Sequence, residues 1–235
     1  MKGKLFLIPT TLGDSEIDQV IPMHIQQLIP DLKHFIVENI RTTRRYLKKI
    51  DRNINIDELT FYELNKHTSP NDISGYLNAL KEHDMGIISE AGCPGVADPG
   101  ADVVKIAHTK DIKVIPLVGP SSILLSLMAS GFNGQNFAFN GYLPIQAGER
   151  AKKIKQLDNR SINEGQSQMF IETPFRNMKM VEDLIQNCHP STKLCIAADI
   201  TLETEYIKTM PVKNWKNNVP DLHKRPTIFL IHRDK

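Results

Sequence analysis

The chain has 235 residues, of which 40% are hydrophobic and 24% charged, and its net charge is +2 at neutral pH. These values are ordinary for a globular protein with a sizeable core, and the charge is too small to indicate nucleic-acid binding by itself. No apolar run approaches the roughly 18 residues of a membrane span, and the N-terminus lacks a signal-peptide pattern, so we expect a cytoplasmic protein without membrane contact.

Strands and helices are predicted to alternate through the first half of the chain. Short apolar runs predict strands at residues 4–8, 35–38, 60–64, 86–89 and 113–116. Helical spacing predicts helices at 15–28, with Ser15 as the cap, and at 42–50, 72–82 and 102–108. In the third helix, Ile73, Tyr76, Leu77 and Leu80 share one face. This alternation is typical of a mostly parallel sheet with helices on both faces.

The second half is predicted to form another α/β domain with a mixed sheet, because its strands outnumber its helices. The predicted strands are 137–139, 168–172, 194–198, 206–209 and 227–232, and the predicted helices are 122–129 and 175–186. Residues 146–165 form a polar stretch to which no element is assigned. Residues 117–120 look like a link, so we place an N-terminal α/β domain at 1–116 and a C-terminal one at 117–235.

Three cysteines in no paired spacing argue against a disulfide framework. Cys188, His189 and Cys195 fit no common zinc pattern and lack a fourth ligand, so no metal is expected.

Two groups of basic residues have two interpretations, a solvated helix face or a phosphate-binding surface. The first group comprises Arg41, Arg44, Arg45, Lys48, Lys49 and Arg52, and the second comprises Arg150, Lys152, Lys153 and Lys155.

The most informative loop is the stretch 86–100, which runs from a predicted buried strand to a predicted helix. It contains several glycines and two prolines, and two acids, Glu90 and Asp98. Ligands bind outside the carboxyl ends of strands in parallel α/β sheets, and both carboxylates could accept hydrogen bonds from hydroxyls or from a cationic group. The alternative is a structural turn in which Asp98 caps the helix. The length of the loop and its content of glycine and proline favour ligand binding.

Two other loops follow predicted strands. The loop at 8–14 has neither the Gly-Lys-Ser/Thr of a phosphate-binding loop nor the spaced glycines of a dinucleotide-binding fold. In the loop at 118–122, Ser121 or Ser122 could cap the following helix or face a ligand. The sequence contains neither a Gly-x-Ser-x-Gly elbow nor a His-Glu-x-x-His motif.

Six ordered segments resemble the tetrapyrrole (corrin/porphyrin) methylase superfamily, most closely its 16S ribosomal RNA cytidine-2′-O-methyltransferase branch. Ser-Glu-Ala-Gly-Cys-Pro at 89–94 with Asp-Pro-Gly at 98–100 resembles the signature Ser-Asp-Ala-Gly-Thr-Pro…Asp-Pro-Gly. The other matching segments are Pro-Thr-Thr-Leu-Gly-Asp at 9–14, Val-Glu-Asn-Ile-Arg at 37–41, Pro-Leu-Val-Gly-Pro-Ser-Ser at 116–122, Phe-Asn-Gly-Tyr-Leu-Pro at 139–144 and Phe-Ile-Glu-Thr-Pro-Phe-Arg at 170–176.

The resemblance implies a tetrapyrrole-methylase-like fold of two α/β domains with S-adenosylmethionine in the cleft between them, commonly as a homodimer. It also implies ribosomal RNA or a ribosomal subunit as the partner. By analogy, the cofactor contacts are Pro9, Gly92, Cys93, Pro94, Val96, Asp98, Ser121, Ser122, Ala197, Ala198, Pro226 and Thr227. For methylation of a ribose 2′-hydroxyl, Glu38 or Glu172 is the candidate base. Arg41 and Arg176 would hold a phosphate or orient the acceptor, the alternative being two structural salt bridges.

Two departures from the family pattern leave the acceptor open. Asn39 replaces the second acid of the family's Glu-Asp pair, and the segment at 199–202 lacks the family's lysine, although Glu205 stands where a glutamate is expected. The alternatives are therefore a methyltransferase acting on a tetrapyrrole or another small molecule, and a protein that binds the cofactor without catalysis.

Overall fold

The computed structural model describes residues 3–64 and 68–234. The chain divides into two compact units, Met1–Ser121 and Ser122–Lys235. The predicted boundary between residues 116 and 117 stays a prediction. Within the described residues, no helix has both the length and the apolar character needed to cross a membrane.

The first unit is built on a five-stranded, fully parallel sheet, as the alternation of strands and helices predicts. Its order is β3-β2-β4-β1-β5. The strands are β1 (Leu5–Ile8), β2 (His34–Val37), β3 (Thr60–Glu63), β4 (Met85–Ile88) and β5 (Val114–Pro116). Because all five run the same way, the loops that follow them emerge at one edge of the sheet.

The helices of the first unit are α1 (Ile17–Val20), α2 (Met23–Leu28), α3 (Ile40–Ile50), α4 (Pro70–Tyr76) and α5 (Ala101–Thr109). The single helix predicted at 15–28 is wrong, because Pro22 holds the preceding Ile21 in an extended conformation (φ −112°, ψ 116°) between α1 and α2. The helix predicted at 72–82 also changes character, since α4 ends at Tyr76 and a 3₁₀ turn, Leu77–Lys81, completes it. Ile73, Leu77 and Leu80 are nevertheless buried, as predicted.

The second unit contains a mixed five-stranded sheet, as predicted, and its strand order is β6-β7-β10-β8-β9. Only the β6–β7 pair is parallel. The strands are β6 (Phe137–Tyr142), β7 (Ser167–Ile171), β8 (Lys193–Ala198), β9 (Tyr206–Pro211) and β10 (Thr227–His232). The helices are α6 (Ser122–Ser130), α7 (Ala147–Glu164), α8 (Asn177–Asn187) and the short α9 (Val212–Trp215), which the sequence did not predict.

Helix α7 corrects the assignment of residues 146–165 as a polar stretch without an element. Ile154 and Leu157 lie in the core, but Arg150 and Asp158 on the same helix are also buried, so polar side chains interrupt the expected apolar period. The Arg150 guanidinium lies 2.6 Å from the carboxylate of Asp183 on α8. Arg150 therefore forms a buried ion pair between α7 and α8 and does not belong to a basic surface.

Candidate functional site

Three loops of the first unit meet at the carboxyl edge of its sheet. They follow β1, β4 and β5, which are neighbours in the strand order. The backbone N–H of Thr10 in the first loop donates to the carbonyl of Gly92 in the second, over 2.9 Å. The Cys93 thiol donates to the carbonyl of Pro120 in the third loop, over 3.5 Å. These bonds join segments that are far apart in sequence into one surface.

Two glycines make this close approach of the loops possible. A Cβ atom at Gly119 would lie 2.1 Å from Cβ of Pro9, where no side chain fits. Gly92 has φ +71°, and a Cβ there would lie 3.1 Å from the Leu12 side chain. The Tyr46 hydroxyl on α3 donates to the Pro9 carbonyl over 2.7 Å and holds the first loop from the other side. Sequence reasoning missed Tyr46, because its role depends on where α3 packs.

The 89–100 loop leads into α5 without a side-chain cap. The helix begins after Gly100, and no side chain caps its first turn, so the alternative in which Asp98 caps the helix is wrong. Ala97 adopts φ 63°, a left-handed conformation that is costly for a residue with a Cβ. Backbone strain of this kind concentrates at ligand sites.

An acidic cleft of about 740 Å³ opens at the same edge of the sheet. Its carboxylates come from the ends of neighbouring strands, because Glu38 follows β2 and Glu90 follows β4. The lining residues are Glu38, Asn39, Leu64, Thr68, Ile73, Glu90, Asp98, Pro99, Gly100, Ala101 and Asp102. The cleft shares residues 90 and 98–100 with the glycine- and proline-rich loop.

Glu38 has the environment of a general base. Burial raises the pKa of its carboxyl, and the negative charges of Asp98 and then Glu90 raise it further, while the backbone N–H of Glu90 partly opposes the shift. Within the described part of the chain, its buried Oε2 atom has no hydrogen-bond partner. Burial and the charge of Glu90 also raise the pKa of Asp98. A carboxylate with a raised pKa and a vacant acceptor oxygen is suited to taking a proton.

Asn39 explains why the missing acid of the family pattern does not disturb the local fold. Its side-chain oxygen caps α3 by accepting from the backbone N–H groups of Arg41, over 2.9 Å, and Thr42, over 3.3 Å. Asparagine and aspartate serve this position about equally well. The Thr42 hydroxyl in turn donates to Oε1 of Glu90 over 2.5 Å.

Glu172 and Arg176 form an ion pair in the second unit. Oε1 of Glu172 accepts from the Arg176 guanidinium over 2.6 Å and from the backbone N–H of Thr173 over 2.7 Å. The Glu172 side chain is only 2% exposed, against 39% for Arg176. This ion pair is one of the two structural salt bridges considered as the alternative in the sequence analysis. A catalytic role for Glu172 or Arg176 stays a prediction.

The structure brings four of the predicted cofactor residues together in the second unit. Ala198 on β8 pairs with Thr227 on β10, Ala197 pairs with the next residue, and all three named residues are buried. The Pro226 carbonyl accepts from the backbone N–H of Asp199 over 2.9 Å. These contacts place residues 197–198 and 226–227 side by side at one end of the sheet.

The remaining predicted residues lie near the loops described above. Pro94 is buried and Val96 is 52% exposed within the 89–100 loop. Ser121 ends the third loop, and Ser122 begins α6. After β8, the Glu205 carboxylate accepts from the backbone N–H of Thr201 over 2.8 Å and so closes the turn that lacks the family's lysine.

Comparison with known proteins identifies methyltransferases as relatives, although no family model matches the chain. The chain is 28% identical over 234 residues to "Ribosomal RNA small subunit methyltransferase I" of Buchnera aphidicola subsp. Schizaphis graminum, covering 97% of this chain and 78% of that protein. The protein of the same name from Vibrio cholerae is 26% identical over 233 residues, covering 97% and 76%. A Streptococcus pyogenes protein of that name is 28% identical over 202 residues, or 85% of this chain and 65% of the relative.

Solved structures with the same fold are tetrapyrrole methylases. The methyltransferase CobJ superposes with a TM-score of 0.64 over 98% of this chain and 94% of its own, at 13% identity. Uroporphyrin-III-C-methyltransferase from Thermus thermophilus superposes with a TM-score of 0.54 over 99% and 93%, at 14% identity. The chain therefore has the tetrapyrrole-methylase fold, as predicted. In sequence it is a homologue of proteins named ribosomal RNA small subunit methyltransferase I, which confirms the resemblance seen in its motifs.

Proposed function

We propose that this protein is an S-adenosylmethionine-dependent methyltransferase that methylates a ribose 2′-hydroxyl of ribosomal RNA. The homology supports the class of reaction. The observation that carries the proposal is the Glu38 carboxyl, which has a raised pKa and an unpartnered oxygen in a cleft bordered by the 89–100 loop.

The loops of the first unit fit a cofactor that is bound largely through backbone atoms. The contact between Gly119 and Pro9 and the left-handed Gly92 bring the backbones of these loops close together, where their N–H and C=O groups could contact a ligand. The residues of this unit that would contact the cofactor are Pro9, Gly92, Cys93, Pro94, Val96, Asp98 and Ser121. S-adenosylmethionine supplies a methyl group on a sulfonium centre, so the protein's own task is positioning and proton removal.

Glu38 would remove the proton. Its carboxylate would accept the hydroxyl proton as the acceptor oxygen takes the methyl group that the cofactor would supply. Products are the 2′-O-methylated nucleotide, S-adenosylhomocysteine and one proton. Burial, followed by the charges of Asp98 and Glu90, keeps the pKa of Glu38 high, which strengthens it as a base. Glu172 is the weaker candidate, because the guanidinium of Arg176 already occupies its Oε1 atom.

The charge of the cleft favours a ribose over a tetrapyrrole as acceptor. Glu38, Glu90, Asp98 and Asp102 line it together, and carboxylates readily accept hydrogen bonds from sugar hydroxyls. Tetrapyrrole precursors carry several carboxylates, which such a cleft would repel.

Two measurements test the proposal. Calorimetric titration should show micromolar binding of S-adenosylhomocysteine, and mass spectrometry should detect a 2′-O-methyl group on unmethylated 16S ribosomal RNA after incubation with the protein and cofactor. Glu38→Gln should keep cofactor binding and lose roughly 10²–10⁴-fold in turnover, the usual contribution of general base catalysis. The exposed Glu82→Gln is the matched control. Full turnover in Glu38→Gln would remove Glu38 from the mechanism, and failure of the parent to bind either form of the cofactor would refute the assignment.

We further propose that the protein acts as a homodimer in the cytoplasm, where a ribosomal substrate would be found. Leu124 and Met128 on α6 are 52% and 77% exposed, and clustered exposed apolar side chains are typical of surfaces that a partner covers. Light scattering after gel filtration tests this: a mass of twice 26.6 kDa supports the dimer, and a mass of 26.6 kDa refutes it.

A further inference from the structure

Helix α3 presents a continuous basic stripe to solvent. Its cationic positions follow the spacing i, i+3, i+4, i+7, i+8, which places them on one helical face, and Arg52 adds a further cation just beyond the end of the helix at Ile50. All are exposed. We call this set, Arg41, Arg44, Arg45, Lys48, Lys49 and Arg52, the α3 basic face.

The α3 basic face is almost uncompensated. No acidic residue occurs within α3. Among residues 3–64 and 68–234, only Lys49 of this face forms an ion pair, with Asp14 over 2.8 Å. Arg44 instead stacks over the Phe61 ring, 5.4 Å from its centroid. Three pairs of like charges stand four residues apart on the helix, a spacing that destabilises it. Although the net charge of the whole chain is only +2, this helix carries a concentration of positive charge that is mostly without acidic partners.

Helix α7 shows how the same chain builds an ordinary charged helix. There, acidic residues stand on both sides of the group of lysines, with Glu149 before it and Asp158 and Glu164 after it, and Arg160 pairs with Glu164 four residues later, over 2.9 Å. Unlike α7, helix α3 contains no acid of its own, and this difference favours a phosphate-binding surface over a merely solvated one.

The opposite face of α3 argues for RNA and against an anionic lipid bilayer as the binding partner of the α3 basic face. Thr43 and Leu47 are buried, and Tyr46 bonds to the Pro9 carbonyl, so the helix has no free apolar face to insert into a lipid bilayer. The helix also starts at the acidic cleft, since Glu38 and Asn39 precede it directly and line the cleft. A substrate lying along α3 would thus pass from cationic side chains to carboxylates within a few residues.

We propose that the α3 basic face binds the phosphate backbone of the RNA substrate and guides one nucleotide into the acidic cleft. The cations hold the phosphates. The carboxylates repel phosphate and accept the ribose hydroxyl. This inference rests on the proposed function and deepens it by assigning the surface that recognises RNA.

The test compares two triple variants of the full-length protein. Arg45→Gln, Lys48→Gln and Arg52→Gln together remove half of the α3 basic face, and Lys152→Gln, Lys153→Gln and Lys155→Gln remove the same charge from α7. Fluorescence anisotropy measures the affinity of each for a labelled single-stranded RNA over a range of salt concentrations. We expect the α3 variant to bind roughly tenfold or more weakly at low salt, with a slope of log affinity against log salt shallower by about 2. The α7 variant should bind RNA like the parent and keep its melting temperature. The α3 variant should melt at or above the parent, because it loses like charges four residues apart, and both variants should keep the parent's cofactor affinity.

Other outcomes overturn the inference. The inference is wrong if the α3 variant binds RNA with unchanged affinity, or if both variants are weakened equally. It is also wrong if the parent protein binds anionic lipid vesicles and does not bind RNA. Failure of the proposed function looks different, because the parent would then bind RNA through α3 without methylating it. If the α3 variant bound and methylated RNA like the parent, the enzymatic proposal would stand and the role of α3 would fall.

Discussion

Replacing Gly119 with alanine tests whether the packing of the loops of the first unit holds the cofactor. The new Cβ atom would lie 2.1 Å from Cβ and 2.3 Å from Cγ of Pro9. Ordinary contact begins near 3.4 Å, so the two loops must separate by about 1.3 Å, the difference between 3.4 and 2.1 Å. The pyrrolidine ring cannot rotate away, and the Pro9 carbonyl is bonded to Tyr46, so the backbone has to move.

The expected effect on activity exceeds the effect on stability. Overpacking of this kind costs about 1–3 kcal/mol in the free energy of unfolding, or about 2–10 °C in melting temperature for a chain of this size. A displacement of about 1 Å in a positioning loop costs on the order of 10²-fold in turnover. Affinity for S-adenosylhomocysteine should fall as well, because the same loops contact the cofactor in the proposed complex.

Calorimetry below the melting temperature and single-turnover methylation of 16S ribosomal RNA measure both consequences. Gly134→Ala is the matched control, since a Cβ there meets nothing within 4 Å. It should bind and turn over like the parent. If Gly119→Ala melts at a lower temperature but binds S-adenosylhomocysteine with parental affinity and methylates at the parental rate, the loop contact is structural only and the cofactor site has been misplaced.

Substitutions of Glu38, Arg150 and Asn39 should each change the stability of the protein in a direction that the structure predicts. Because folding raises the pKa of Glu38, the parent's stability should fall as pH rises through that pKa, so Glu38→Gln should melt above the parent at neutral pH and level with it in acid; an advantage largest in acid would contradict this. Arg150→Gln removes the 2.6 Å partner of the buried Asp183 and leaves it Lys179 at 3.4 Å, so it should cost about 3 kcal/mol in urea unfolding, whereas Arg160→Gln breaks an exposed pair and should cost less than about 1 kcal/mol. Asn39→Ala removes the cap of α3 and should cost about 1 kcal/mol in thermal unfolding, while Asn39→Asp should cost little; equal losses would show that the cap is unimportant.

Several elements were accessible from sequence because their signals are local. The strand and helix order of the first unit follows from apolar runs separated by amphipathic stretches, and the parallel sheet follows from that order. The break between α1 and α2 was also encoded locally, by Pro22, and went unpredicted only because the apolar period runs across it. Helix α7 is different, since Arg150 and Asp158 are stable in the core only through partners elsewhere in the chain, such as Asp183 and Thr192.

The sequence by itself determined the fold class, the glycine- and proline-rich loop and the relationship to methyltransferases, because residue type and spacing along the chain carry these. Only the tertiary structure decided that Glu38 faces the charges of Glu90 and Asp98 and that Gly119 abuts Pro9. Both contacts join residues many positions apart, across strands whose order in the sheet differs from their order in the chain. A pKa depends on the burial and charges that such contacts create, so no local pattern could have decided between Glu38 and Glu172 as the base.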